Sequence, residues 1–382
     1  MITIKYTYSM AVKNSEKTTF QRHIYTDGDS WSYDLVDLAR KVETLTFDER
    51  FLNKGFNITK GRITPFKEIH WAALEQTCRI PELLEKQIPT TASFDEFISM
   101  LKAGLRASIF DFWNTKDKYI VFHSAGFDSR IISAMLAELR DEGVTMDNVH
   151  FRCHQPECPG FFEIMKREGW PEDQYSCYKG SPEDYYNVGV SDISVNGFVN
   201  YNQQMNFWHD IIPRDEEKDW NLIIGLNGEM FKYIAKAKYK SKFKYCDNVG
   251  LNFLIEMTPG YGEWEGQWAT RFKDLIMPFG GYEYLKVASK VNPKWCVLNK
   301  ETDALRFALA KKFNYNIGNI PHGKHDYSWK ISEGRKQSMM DLYHESKFFK
   351  KYKKNIAPFK DLYGWDAKMW GFAVTVYEKI YE

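Results

Sequence analysis

The sequence predicts an α/β fold: a parallel sheet flanked by helices, a small α+β part ahead of it and a mostly helical C-terminal part. Three observations carry that expectation. Short apolar, β-rich runs at 119–123, 149–153 and 220–225 alternate with apolar stripes at helical spacing. The first run, Tyr119–Phe122, is short and uniformly apolar, as strands buried on both faces are. The turn between the first run and its helix holds two serines and a glycine, and such a turn aims backbone N–H groups and a helix N-terminus outward.

Taken in order, residues 1–90 mix β-like pieces such as Ile2–Tyr8 with turns such as Asp27-Gly28-Asp29, and form a first, small domain without readable chemistry. Residues 91–382 form the second. Ser93-Phe94-Asp95-Glu96 has the form of a capping box and opens a helix whose buried side is Phe94, Phe97, Ile98, Leu101, Leu105 and Ile109. The run 119–123 is the first strand, followed by a helix over about 128–142 with Ile131, Ile132, Met135, Leu136 and Leu139 inward. A second strand, Val149–Cys153, leads to a helix near 160–168. Trp220–Gly225 is a third strand, and from about 266 onward the pattern is mostly helical. Ligands of open parallel sheets bind beyond the strands' carboxyl ends. Ser124–Ser129, Arg152–His154 and Asn227–Glu229 all fall there.

Composition narrows the class. At 382 residues with 16% aromatics, the chain has ample core and is not of disordered type. Its six cysteines (78, 153, 158, 177, 246 and 296) show no paired framework or standard zinc spacing, so they are expected as reduced core or cleft thiols. Met1–Tyr6 lacks a signal-peptide core, and no apolar run reaches the about 20 residues that span a bilayer. A cytoplasmic protein is the expectation. The net charge of +1 hides a split: residues 1–230 carry 25 Lys+Arg against 35 Asp+Glu, and residues 231–382 carry 27 against 16. Such asymmetry points to a bound anion or to mutual attraction of the halves.

Ser124-Ala125-Gly126-Phe127-Asp128-Ser129 resembles the Ser-Gly-Gly-x-Asp-Ser loop of the ATP pyrophosphatase (PP-loop) family, whose fold is the adenine nucleotide alpha hydrolase-like sheet. The resemblance implies that the loop, through Ser124 to Ser129, holds the pyrophosphate end of ATP, with Asp128 on Mg²⁺. Alanine replaces glycine at 125, and alanine is accommodated there if its φ stays negative. Further stretches are similar, in order, to the synthetase domain of asparagine synthetases and β-lactam synthetases. They are Leu226-Asn227-Gly228-Glu229, Met277-Pro278-Phe279, Leu305-Arg306-Phe307-Ala308-Leu309 and Ile320–Lys324. The likeness covers roughly residues 90–330. It implies that Glu229 acts on the amine or the substrate, and that Lys324 neutralises charge on the reacting phosphate. Read without the resemblance, Glu229 is a carboxylate at a helix N-terminus and Lys324 a surface lysine.

Departures limit what carries over. Met230-Phe231-Lys232 follows Glu229 where the family has a Gly-x-Asp-Glu segment with a second Mg²⁺ ligand. Residue 2 is Ile rather than the glutaminase cysteine, and residues 1–90 are shorter than that domain, so ammonia or an amine is expected from elsewhere. The expected function is an ATP- and Mg²⁺-dependent, AMP-forming ligase joining a carboxylate or carbonyl substrate to an amine. Two alternatives stand beside it: a PP-loop enzyme modifying a base in tRNA or DNA, and a non-catalytic nucleotide-binding protein. The first draws on the alternating lysines of Lys236–Lys244 and the cluster Lys347–Lys354, whose interleaved aromatics suit a nucleic-acid backbone and stacked bases. A lysine-guarded edge strand explains the alternation equally.

Overall fold

Two sheets organise the described residues. The computed structural model describes residues 3–4, 23–32, 35–46, 48, 64, 66–74, 89–154, 158–178, 215–225, 228, 231, 272–296, 304–313 and 320. The smaller sheet has four strands, β1 (Thr3–Ile4), β2 (His23–Thr26), β3 (Trp31–Ser32) and β4 (His70–Leu74). Its order is β1-β4-β2-β3, with β1 parallel to β4 and the other pairs antiparallel. A short helix, α1 (Leu35–Ala39), follows β3.

The larger sheet is parallel throughout. Helix α2 (Phe94–Phe110) precedes it, and β5 (Tyr119–Phe122), α3 (Phe127–Asp141), β6 (Val149–His154), α4 (Cys158–Arg167) and β7 (Tyr175–Tyr178) follow in turn. The chain returns as β8 (Asn221–Ile223) and β9 (Asp274–Ile276), then helices α5 (Tyr282–Ala288) and α6 (Ala304–Phe313). The spatial order is β7-β6-β5-β8-β9. Strands are thus added outward from β5 in one direction, and then in the other. The register sets Val121 of β5 opposite Phe151 of β6 and Ile223 of β8. β5 lies between two neighbours and under helices, so Tyr119, Ile120 and Val121 are fully buried.

Two strands were not foreseen. β7 and β9 span only four and three residues, and β9 falls in the stretch read as mostly helical. That reading is corrected: Asp274–Ile276 pairs with Asn221–Ile223 and closes one side of the sheet. The helices at 282–288 and 304–313 agree with the helical expectation beyond it.

Local chemistry explains α2. Ser93 caps it: the Glu96 amide donates to Ser93 Oγ at 3.4 Å, and the Ser93 amide donates to Glu96 Oε2 at 2.8 Å. Its buried face is Phe97, Ile98, Leu101, Gly104, Leu105, Ser108 and Ile109. Gly104 lets α2 meet α5 closely, since a Cβ there would lie 2.8 Å from the Glu283 carbonyl oxygen. Lys102 and Arg106 of α2 pair with Glu138 of α3, and Arg106 also with Glu142, which ties α2 to α3. Cys153 and Cys296 are buried thiols, but Cys177 is disulfide-bonded, which corrects the expectation of an all-reduced set. Among the described residues no helix is long and apolar enough to cross a membrane.

Candidate functional site

The strand order reverses between β5 and β8, and in an open parallel sheet that reversal opens a crevice at the carboxyl ends. Residues 123–126 lead from the carboxyl end of β5 to the start of α3 at that reversal. Gly126 is the N-cap of α3 with extended backbone and makes no side-chain cap hydrogen bond, and a helix's first-turn N–H groups have no partner within the helix itself. Fifteen residues of aligned peptide dipoles add positive potential at that end.

The end of β8 forms the facing wall and lies very close. A Cβ on Gly225 would come within 3.1 Å of Asp128 Cβ and 3.3 Å of the Ser129 amide nitrogen. A Cβ on Gly228 would lie 2.2 Å from Asp128 Oδ1. Only glycine at 228 leaves room for the Asp128 carboxylate. That carboxylate is held from α6 by Arg306 Nη1, which donates to Oδ2 at 2.8 Å and to Oδ1 at 3.0 Å. Phe307 meets Phe127 edge-on at 5.8 Å, so α6 packs on the first turn of α3 through two adjacent residues.

Inside the loop, the Ser124 amide donates to Ser129 Oγ at 3.1 Å, and the two serine hydroxyls lie 3.0 Å apart. The serines brace the turn from its two ends. Ala125 sits at φ +50°, the one positive-φ residue other than glycine among those described. The condition that alanine keep a negative φ is therefore not met: the turn needs a left-handed residue here, as the glycine of the resembling loops allows. For an L-residue with a Cβ this costs about 1–2 kcal/mol. Three contacts surround it. The Ala125 amide donates to His123 Nδ1 at 3.0 Å, and its carbonyl accepts from Arg130 Nε at 2.9 Å. Its Cβ packs where Gly160 of α4 carries no side chain, 3.6 Å from where a Cβ would be.

Beneath the loop lies a buried polar chain. His123 Nε2 is 3.1 Å from Ser133 Oγ, which is 2.8 Å from Glu168 Oε1, and Trp170 Nε1 donates to Glu168 Oε2 at 2.7 Å. Burial, with Arg130 nearby, holds His123 down to about 3, so the ring is neutral. Burial pushes the Glu168 carboxyl up to about 8, against the opposing hydrogen bonds from Ser133 and Trp170. A neutral Glu168 can donate to Ser133 Oγ, leaving the serine hydroxyl for the Arg130 carbonyl 3.2 Å away. An ionised Glu168 takes that hydroxyl for itself. Arg130 is also fully buried, and burial lowers it to about 10, so it stays charged at neutral pH. Its Nη1 donates to the Ile320 carbonyl at 2.5 Å.

The loop residues Ser124, Ala125, Gly126, Phe127, Asp128 and Ser129 are thus brought to one place, together with Gly228. Glu229, Lys324, Lys236–Lys244 and Lys347–Lys354 lie outside the described residues. Arg152 is buried in an ion pair with Glu217, which makes it a packing pair. Arg306, His123 and Arg130 were not singled out for the site. His123 ending an apolar strand and Arg130 amid apolar helix positions were the available signals; Arg306 offered none beyond its helix. No family model matches the sequence, and no curated protein is detectably similar to it.

Replacing Ala125 by Gly should stabilise the fold by about 0.5–1 kcal/mol, the relieved strain less glycine's greater unfolded-state entropy. Urea denaturation checks this, and a loss of stability would show that residue 125 is not left-handed. A second prediction concerns pH. A carboxyl raised from 4.5 to about 8 contributes stability that is full below pH 4.5 and lost as pH rises through 8. An imidazole lowered from 6.5 to about 3 contributes stability present above pH 6.5 and lost as pH falls through 3. The two slopes oppose each other between pH 4.5 and 6.5, and Glu168 alone acts from 6.5 to 8. Glu168→Gln should therefore abolish a decline of about 1 kcal/mol per pH unit between pH 6.5 and 8. Parallel wild-type and variant profiles in denaturation across that range would contradict it.

Proposed function

We propose that this chain is an ATP-dependent, AMP-forming ligase that joins a carboxylate or carbonyl substrate to ammonia or an amine. One observation carries the reading. The sequence Ser-Ala-Gly-Phe-Asp-Ser spans the glycine N-cap and first turn of α3 at the point where the order of a five-stranded parallel sheet reverses. Backbone N–H groups and a positive helix end in a crevice favour an anion of phosphate type.

In this reading Gly126 and Ser129 hold the β- and γ-phosphates through backbone amides, and Ser124 and Ser129 add the one hydroxyl proton that their mutual hydrogen bond leaves over, the Ser124 amide being given to Ser129 Oγ. Asp128 is the residue that would hold Mg²⁺. Both of its oxygens accept from Arg306 Nη1, so it would meet the ion through the lone pairs that this contact leaves, with phosphate oxygens as the other ligands, and the described residues hold no group of three or more His, Cys, Asp or Glu side chains. When bound, the ion neutralises phosphate charge. Arg306, which pairs with Asp128 beside the same helix end, adds a cation whose planar fork suits phosphate oxygens.

The reaction then runs in two displacements. An oxygen of the substrate attacks the α-phosphorus, the bond to the β-phosphate oxygen breaks, and pyrophosphate leaves into the loop. The amine next attacks the activated carbon, AMP departs with the bridging oxygen, and the nitrogen loses a proton. Glu229 is assigned to accept that proton, and Lys324 to offset charge on the phosphates. Holding both reactants in one crevice supplies much of the acceleration.

Incubation with ATP, Mg²⁺ and fractions of cell extract should yield AMP and pyrophosphate in step. Asp128→Asn, which keeps the shape and removes the charge, should slow that release by about a hundredfold or more. Formation of ADP and phosphate instead, or full activity in Asp128→Asn, would overturn the assignment.

A further inference from the structure

A left-handed alanine persists only where its surroundings over-determine it. Ala125 is such a residue, and the group nearest its amide is a histidine side chain rather than backbone or solvent. A backbone N–H can only donate, so His123 Nδ1 must be the unprotonated acceptor. The ring proton then sits on Nε2, where Ser133 Oγ lies 3.1 Å away to receive it. Ser133 is in turn fixed by Glu168, and Glu168 by the Trp170 indole. His123, Ser133 and Glu168 are all at most 4% exposed, so no water competes along the chain. Phe161 packs against the imidazole at 5.2 Å between ring centroids and restricts its rotation. The tautomer, the ring orientation and the Ala125 amide are therefore set together.

We propose that His123 is a positioning residue of the phosphate loop: its neutral Nε2–H ring, aimed by Ser133 and Glu168, holds the Ala125 amide so that residue 125 stays left-handed and the following amides face the crevice. This rests on the pyrophosphate reading of the loop. The other side of residue 125 is held by Arg130, whose Nε takes the Ala125 carbonyl while Nη1 takes that of Ile320. The His123 contact is the one that restrains the amide itself. Without it, alanine relaxes to negative φ, the peptide unit rotates, and the Gly126 and Phe127 amides turn away from a common centre. Glycine at 125 has no such preference. The dependence on His123 is thus a consequence of alanine at 125, and it disappears when that alanine is removed.

The test is a double-mutant cycle with inorganic pyrophosphate and Mg²⁺ as the probe, read by calorimetry, with the thermal midpoint of every variant recorded alongside. His123→Leu should weaken pyrophosphate binding by about tenfold, the loss of one restraining hydrogen bond plus the strain it opposed. In the Ala125→Gly background the same change should cost less than about threefold. His123→Asn, whose amide oxygen can still accept from residue 125, should retain most of the affinity even where its thermal midpoint falls. A purely structural role would lower the midpoint and leave the Ala125→Gly background equally sensitive. Equal losses in both backgrounds, or no loss in His123→Leu, would overturn the proposal.

A ligand-free reading separates this from the proposed function. Nitrogen-15 spectra at neutral pH should show His123 as a neutral ring with the proton on Nε2, and slow exchange of the Ala125 amide that becomes fast in His123→Leu. A charged ring, an Nδ1–H tautomer, or an Ala125 amide indifferent to His123 overturns the positioning role. Failure of the wild-type protein to bind pyrophosphate, with those spectra as expected, overturns the ligase reading and with it the phosphate role of His123.

Discussion

The amino end of α3 has to meet the carboxyl ends of both β5 and β8, and this junction governs the geometry of the crevice. Gly225 and Gly228 permit it by having no side chain where Asp128 and the Ser129 amide need the room. A methyl group at 228 would displace the Asp128 carboxylate, and with it the contact to Arg306 that brings α6 against the same helix turn. Sheet order, loop shape and the packing of α6 are therefore linked through a few ångströms of backbone. The Lys102, Arg106, Glu138 and Glu142 cluster holds α2 against the other end of α3, and this fixes the axis along which its amino end points.

The strained turn and the buried polar chain beneath it are two parts of one arrangement. A buried polar group left without a partner costs about 1–3 kcal/mol, so a chain through His123, Ser133 and Glu168 is tolerated only when each member is satisfied. Here each is: the Ala125 amide sets the direction at one end and the Trp170 indole at the other, and the protonation of Glu168 sets that of the Ser133–Glu168 bond between them. Satisfied networks of this kind specify a single geometry. Arg130 adds a second restraint of the same sort, since a guanidinium is well suited to take two carbonyl oxygens on separate segments.

Much of the frame was legible in the sequence because its signals are local. The Ser93 capping box, the apolar spacing of α2 and α3 and the strand–turn–helix at 119–141 each lie within one short, continuous stretch of sequence, and each appears as read. β7 and β9 were missed because the polar Ser176 interrupts Tyr175–Tyr178, and Asp274–Ile276 opens on an acid and runs into Pro278, which reads as a helix start. They form because β6 and β8 offer them a partner, which is information held elsewhere in the chain. The sign of φ at Ala125 was unreadable for the same reason, being imposed by His123, Arg130 and Gly160 against the preference of alanine itself. Asp128 and Arg306 are far apart in sequence, and nothing near either residue announces the pair.

In the proposed function the amides opening α3 receive the pyrophosphate end of a nucleotide. Amide spectra of the isotope-labelled protein, recorded while inorganic pyrophosphate and Mg²⁺ are added, test it most directly. The largest and saturable shifts are expected at Gly126, Phe127, Asp128 and Ser129, with smaller ones at Gly225 and Gly228. Saturable shifts centred away from residues 124–129, or none at all, would contradict it.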